Sequence, residues 1–186
     1  NLSNTDNTFT GNVAANMTGT LSLGSNGSLN LSDTNATSLT LATSNDGSVS
    51  ATGTNQVGSL AAQLGNGALT FTNNQGNLAL GNIAAGSATL QANGALTSAA
   101  ESTVTAAVGN ITLTSSGLDL AGNMSAADTV RVATNDANSD ITFSSLGNLN
   151  LGQLQTNANG TLAIGAVNQS GNVTVDVATN TQASLI

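Results

Sequence analysis

The feature that most constrains this chain is a short apolar-x-apolar pair that returns about every 20 residues, bounded each time by Gly and Asn. One series runs Leu29-Leu31, Val49-Ala51, Leu69-Phe71, Leu90-Ala92, Ile111-Leu113, Val130-Val132 and Leu149-Leu151, its first members 20, 20, 21, 21, 19 and 19 residues apart. A second interleaves with it: Leu21-Leu23, Leu39-Leu41, Leu60-Ala62, Leu78-Leu80, Leu96, Leu118-Leu120, Ile141-Phe143 and Leu162-Ile164. A third comprises Leu64, Ile83, Val104 and Met124, spaced 19, 21 and 20, with Leu154 continuing it after a distorted turn. After Leu149 the first series jumps to Val173, which predicts an insertion or a looser coil near 157–172.

Alternation within a pair sends apolar side chains to one face of a strand and Thr, Ser or Asn to the other. Three such strands in one repeat describe a triangular coil, and stacking the coils pairs each strand in parallel with its equivalents one turn away. The sequence therefore predicts an all-β fold, a parallel β-helix (β-solenoid) with coils of about 20 residues, right-handed by the general preference of parallel crossovers. Residues 1–186 read as a single repeat segment; dividing length by period gives about nine coils, a rod roughly 40 Å long. Corner chemistry falls between the pairs at Asn26-Gly27, Asn45-Asp46-Gly47, Asn66-Gly67, Asn93-Gly94 and Asn159-Gly160. Gly and Asn there are expected to supply positive φ.

Composition fits that architecture and removes most chemistry. The chain has no Pro, which would delete ladder hydrogen bonds. Hydrophobic residues make up 39% against 2% aromatic, so the core must be narrow and built from aliphatic side chains. Disordered chains are usually rich in Pro, Glu and Lys, and this one is not. With no Cys and no His, thiol chemistry and the commonest general base and metal ligand are missing. A net charge of −8 with Arg131 as the sole basic side chain makes nucleic acid a poor partner. Nothing reads as a signal peptide or a membrane-spanning run.

Candidate sites are few. Asp136, Asn138 and Asp140 place oxygen ligands at alternate positions like the start of a calcium loop, but Ile141 stands where the turn Gly belongs and Gly147 where the bidentate Glu belongs. A solvated corner is the plainer reading, and no cofactor is expected. Asp33, Asp46, Asp119, Asp128 and Asp176 are scattered, so paired-acid catalysis lacks converging groups and the chain is expected not to be an enzyme. Asp119 and Arg131 could face outward on neighbouring strands, where an exposed pair contributes about 0–1 kcal/mol. Outward Thr pairs at Thr70/Thr72, Thr103/Thr105 and Thr112/Thr114 raise ice binding. Ser28/Asn30, Ser48/Ser50, Thr89/Gln91 and Thr129/Arg131 at the expected equivalent positions break that register. Phe71 and Phe143 are expected in the core, and sequons such as Asn16-Met17-Thr18, Asn110-Ile111-Thr112 and Asn172-Val173-Thr174 follow from composition alone.

Units such as Gly76-Asn77-Leu78-Ala79-Leu80-Gly81-Asn82-Ile83, Gly109-Asn110-Ile111-Thr112-Leu113 and Gly147-Asn148-Leu149-Asn150-Leu151-Gly152 carry a resemblance. From about Thr20 to Val177 the chain resembles the β-helical repeats of filamentous haemagglutinin-type exoproteins, secreted by the two-partner route in Gram-negative bacteria. The resemblance implies a right-handed β-helix at the outer cell surface or beyond, serving adhesion, contact-dependent toxin delivery or biofilm. The family's Asn-Pro secretion motif has no counterpart here, so the chain reads as rod without the functional ends. The expected role is a structural rod whose partners are neighbouring β-helical segments and cell-surface receptors. The alternative is a subunit of a self-assembling extracellular filament, stacking on identical copies end to end.

Overall fold

Among the described residues the alternating pairs become strands that run on without folding back on themselves. The computed structural model describes residues 1–128 and 130–134, together with the strand segments 141–143, 149–150, 154–156, 162–164 and 175–177. Every strand pairing among them is parallel, and they contain no helix. The fold is a β-solenoid, as the periodicity predicts.

Three stacks of strands make its faces. Face 1 holds β1 (Asn12–Asn16), the first part of β3 (Leu29–Ser44), β4 (Val49–Ala51), β6 (Ala68–Asn73), β8 (Ser87–Ala92), β11 (Ile111–Ser115) and β14 (Val130–Thr134). Face 2 holds β2 (Thr20–Asn26), the later part of β3, β5 (Gln56–Gln63), the start of β7 (Leu78–Ala85), β9 (Ala95–Ser98), β12 (Gly117–Leu120), β15 (Ile141–Phe143) and β18 (Leu162–Ile164). Face 3 is distinct from the end of β7 onward, through β10 (Thr103–Ala106), β13 (Asn123–Ala126) and β16 (Leu149–Asn150). A separate pair joins β17 (Leu154–Thr156) to β19 (Val175–Val177), and β17 lies beside β14.

The register corrects several assignments. On face 1 the partners of Leu69 and Phe71 are Ala88 and Leu90, so Leu90 is the second inward residue of its coil and Ala88 the first. Leu149 pairs with Met124 and belongs to face 3, not face 1. Ile83 pairs with Ala62, so face 3 is continued upward by Ala62 and not by Leu64. Leu154 pairs with Val175 beside β14, so it does not continue the third series, and Val175 stands where Val173 was expected. At Ala88-Leu90, at Ala62 and at Val175 the motif slides by two residues without changing its inward parity, whereas Leu149 and Leu154 move to another face, because spacing alone does not fix which member stacks on which. Six turns separate Val13 from Val132, about 20 residues each, so the period holds over that stretch, while the turns followed on face 1 stay below the nine that the full length suggests. The first eleven residues account for part of the difference, since they contribute a single bridge, Leu2 to Leu23, in place of a full coil. The expected looser coil at 157–172 lies outside the described residues except at β18.

The core is a column of aliphatic side chains threaded along the axis. Leu39, Leu60, Leu69, Leu90 and Leu96 are fully enclosed, and Phe71 is the one aromatic among the buried described residues. Coils approach so closely that glycines are needed where they meet. A Cβ on Gly47 would come within 2.3 Å of Gly27 carbonyl atoms, one on Gly67 within 2.2 Å of Gly47 O, and one on Gly86 within 2.0 Å of Asn66 O. Gly27, Gly47, Gly67 and Gly86 thus form a column at one corner, one glycine per coil.

Asparagine works differently from expectation. Among the described residues only Asn45 and Asp46 adopt positive φ without being glycine. At the Asn66-Gly67 corner the left-handed residue is Gly65, with φ 59°. Elsewhere Asx side chains clip one coil to the next by accepting from its backbone. Asp33 Oδ1 accepts from Thr54 N–H (2.9 Å), Asp46 Oδ1 from Asn66 N–H (2.8 Å), Asn77 Oδ1 from Ala95 N–H (2.9 Å) and Asn82 Oδ1 from Thr103 N–H (3.0 Å). Corners would otherwise leave ladder donors unpaired, so these bonds take over where the strands stop.

Candidate functional site

The corner between faces 1 and 2 carries a surface groove on the N-terminal coils. Alternation there sends Ala36 and Val57 into the core and leaves Asn35 and Gln56 outside. Parallel register stacks Asn16 on Asn35 and Asn35 on Gln56. Gln75-Gly76-Asn77 continues the same corner one coil further, with Gly76 at φ 75°. Between these stacked segments and Met17-Thr18 lies an open groove of about 450 Å³. Its walls offer amides, hydroxyls and backbone, and its lining contains no acid, no base and no aromatic ring. Such a surface can exchange hydrogen bonds with a neutral polar partner. Its lining holds no acid or base that would activate the Thr18 or Thr37 hydroxyl.

Beneath the groove runs a feature that spacing did not reveal: a buried polar column. Asn55, with no exposed surface, donates from Nδ2 to Ala51 O and Thr72 O, both at 3.0 Å, and accepts from Thr34 N–H at 3.1 Å. Asn73, equally buried, accepts from Val57 N–H at 2.8 Å and donates to Gln75 O at 3.1 Å. One amide therefore ties three coils together. The signal was present in parity: Asn73 follows Leu69 and Phe71 at the inward positions of β6. Thr34 Oγ1 finds no partner in this column, a cost that its neighbours' bonds offset.

Among the described residues the acids stay apart. Asp33 and Asp46 serve as the inter-coil clips described above, and no group of three or more metal-binding side chains occurs among the described residues. Asp119 sits on face 2 opposite Thr97 and Thr142, whereas Arg131 sits on face 1 opposite Thr112, so the two do not occupy neighbouring strands. Asp128 is exposed. The calcium candidate Asp136, Asn138 and Asp140 lies outside the described residues, as do the side chains of Asp176 and Phe143. Phe71 is in the core.

The Thr face is more regular than the sequence spacing implied. Face 1 presents Asn30, Ser50, Thr70, Thr89, Thr112 and Arg131 outward in one column, so Thr occupies three successive coils. The flanking column reads Thr72, Gln91, Thr114, and Gln91 interrupts the paired Thr that an ice-matching face needs on every coil. These hydroxyl ladders are neutral, hydrated and compatible with tight stacking. No family model, no curated protein and no solved structure matches this chain.

Proposed function

We propose that this segment is the non-catalytic shaft of a secreted bacterial surface adhesin of the filamentous haemagglutinin type, holding adhesive or toxin-bearing regions away from the cell. The observation that carries this reading is the division of labour among its polar groups. Asp33, Asp46, Asn77 and Asn82 are spent on joining coil to coil, and the outward faces carry mostly uncharged hydroxyls and amides, with Asp119 and Arg131 on different faces. Its partners are the β-helical segments adjoining it and a cell-surface or matrix receptor, and its location is outside a Gram-negative cell after two-partner secretion.

The test is negative-stain electron microscopy with far-UV circular dichroism across a range of concentrations. Short separate rods with a β spectrum are the expected result. A second reading, a subunit of an extracellular filament, draws on β1, which pairs with β3 alone among the described residues and carries half-buried Val13 and Ala15, with Met17 just beyond it. An open strand edge of that kind invites pairing. Narrow filaments that lengthen with concentration would replace the shaft reading with this one.

A further inference from the structure

We infer that Asn26-Gly27 is a built-in site of spontaneous backbone chemistry, converting through a succinimide to an aspartyl or isoaspartyl residue, while the Asn66-Gly67 and Asn93-Gly94 corners are shielded by the fold. In that reaction the Gly27 nitrogen attacks Asn26 Cγ, its proton is lost to water, and the side-chain nitrogen leaves as ammonia. Water then opens the ring. No oxidant or cofactor enters, and the net change is amide to carboxyl.

Three requirements separate the corners: a free nucleophile, a polarised carbonyl and an unencumbered leaving group. At Asn66-Gly67 the Gly67 N–H is held by Leu64 O at 2.9 Å, and the Asn66 amide nitrogen donates to Asp46 Oδ2 at 3.3 Å. At Asn93-Gly94 the Gly94 N–H is held by Gly76 O at 2.9 Å, and Asn93 Nδ2 donates to Asn74 O at 2.7 Å. Asp46-Gly47, capable of the related isomerisation, has its nitrogen held by Ser44 O at 3.1 Å. Gly27 N–H has no such bond among the described residues.

At Asn26 the hydrogen bonds fall on the other side of the amide. Its Oδ1 accepts from Asn45 Nδ2 at 2.5 Å and from Ser44 Oγ at 3.3 Å. These donors sit where negative charge develops when Cγ is attacked, the arrangement that stabilises a tetrahedral oxyanion. They leave Asn26 Nδ2 free to depart. The residue is exposed, so water reaches the ring that forms.

The experiment is to incubate the folded chain in mildly alkaline buffer and follow amide-to-acid conversion site by site by peptide mass spectrometry, with a parallel sample in urea. Asn26 is expected to convert at least about tenfold faster than Asn66 and Asn93 when folded, about 1.4 kcal/mol of barrier difference. In urea the three sites should converge. Comparable folded rates at all three, or faster conversion at Asn66 or Asn93, would overturn the inference, as would a folded chain left unmodified at Asn26 while the urea sample reacts. Ser44→Ala supplies the second readout. Loss of the oxyanion donor should slow Asn26, whereas a role limited to tightening the corner would make the variant faster and refute the activation.

Discussion

The coils up to Ala85 and those from Ala95 onward solve the same problem in two ways. In the first region faces 2 and 3 run on as one strand: Leu21 and Leu23 stack on Leu39 and Leu41, which stack on Leu60 and Ala62 without interruption. β7 then takes one extra residue between Leu80 and Ile83, a bulge against Leu60 and Ala62. In the next coil the strand breaks outright, Ser98 and Val104 standing opposite Leu80 and Ile83 with Ala99–Ser102 turned out between them. The face 1 spacing records the event, since Ala88 to Ile111 is 23 residues where the neighbouring coils take 19. The lesson is that the corner between faces 2 and 3 is an optional fold in a strand. Face 1 holds its pairing through the change.

Glycine substitutions should break the comparison most sharply. Gly53→Ala would place a Cβ 1.6 Å from Ser32 O, and Gly67→Ala one 2.2 Å from Gly47 O, both in the tightly stacked region. Each is expected to destabilise by about 1–3 kcal/mol or more through overpacking, seen as a lower urea midpoint. Gly117→Ala, with nothing within 4 Å of the new Cβ, should be neutral or gain about 0.4–1 kcal/mol. Equal losses at all three positions would show that the approach of the neighbouring coil does not set the cost.

The buried polar column gives the next effect. Asn73→Ala strips a buried amide from Val57 N–H and Gln75 O and is expected to cost about 1–3 kcal/mol. Ser115→Ala in the later region removes one donated bond, Ser115 Oγ to Gly117 O, and should cost about 0.5–1.5 kcal/mol. Hydrogen exchange at the Val57 amide checks the first directly, since its protection should fall only in the Asn73 variant. Deleting Ala99, Ala100 and Glu101 should restore the shorter corner with little change in stability, about 0.5 kcal/mol or less, because all three side chains are exposed. A large loss would mean that the outward turn is integral to the later coils. The smallest effect belongs to Asp119→Asn, within about 0.5 kcal/mol in a thermal melt at low salt, since its neighbours in the ladder are Thr97 and Thr142.

Fold class was legible because the inward parity of Leu, Val and Ile survives every irregularity, and parity is what a strand reports. Register was less legible. Leu90 stands between Ala88 and Ala92, all three buried at the same parity, so nothing local says which two continue the column above. The polar interior was missed at Asn73 because an Asn after an apolar pair reads as a corner residue, and only the stack reveals the backbone groups waiting for it. The groove between Met17 and Asn77 brings together segments far apart in sequence through a stacking that no local motif encodes.

The glycine column has a developmental side. Each coil presses on its neighbour through backbone atoms common to every residue, so a coil meets much the same seat wherever it is placed along the stack. Gene duplication of one unit would add one layer, about 4.8 Å of reach, without inventing a new junction. A shaft built this way can be lengthened or shortened by heredity in single steps, and its length becomes a trait that selection tunes independently of whatever it carries.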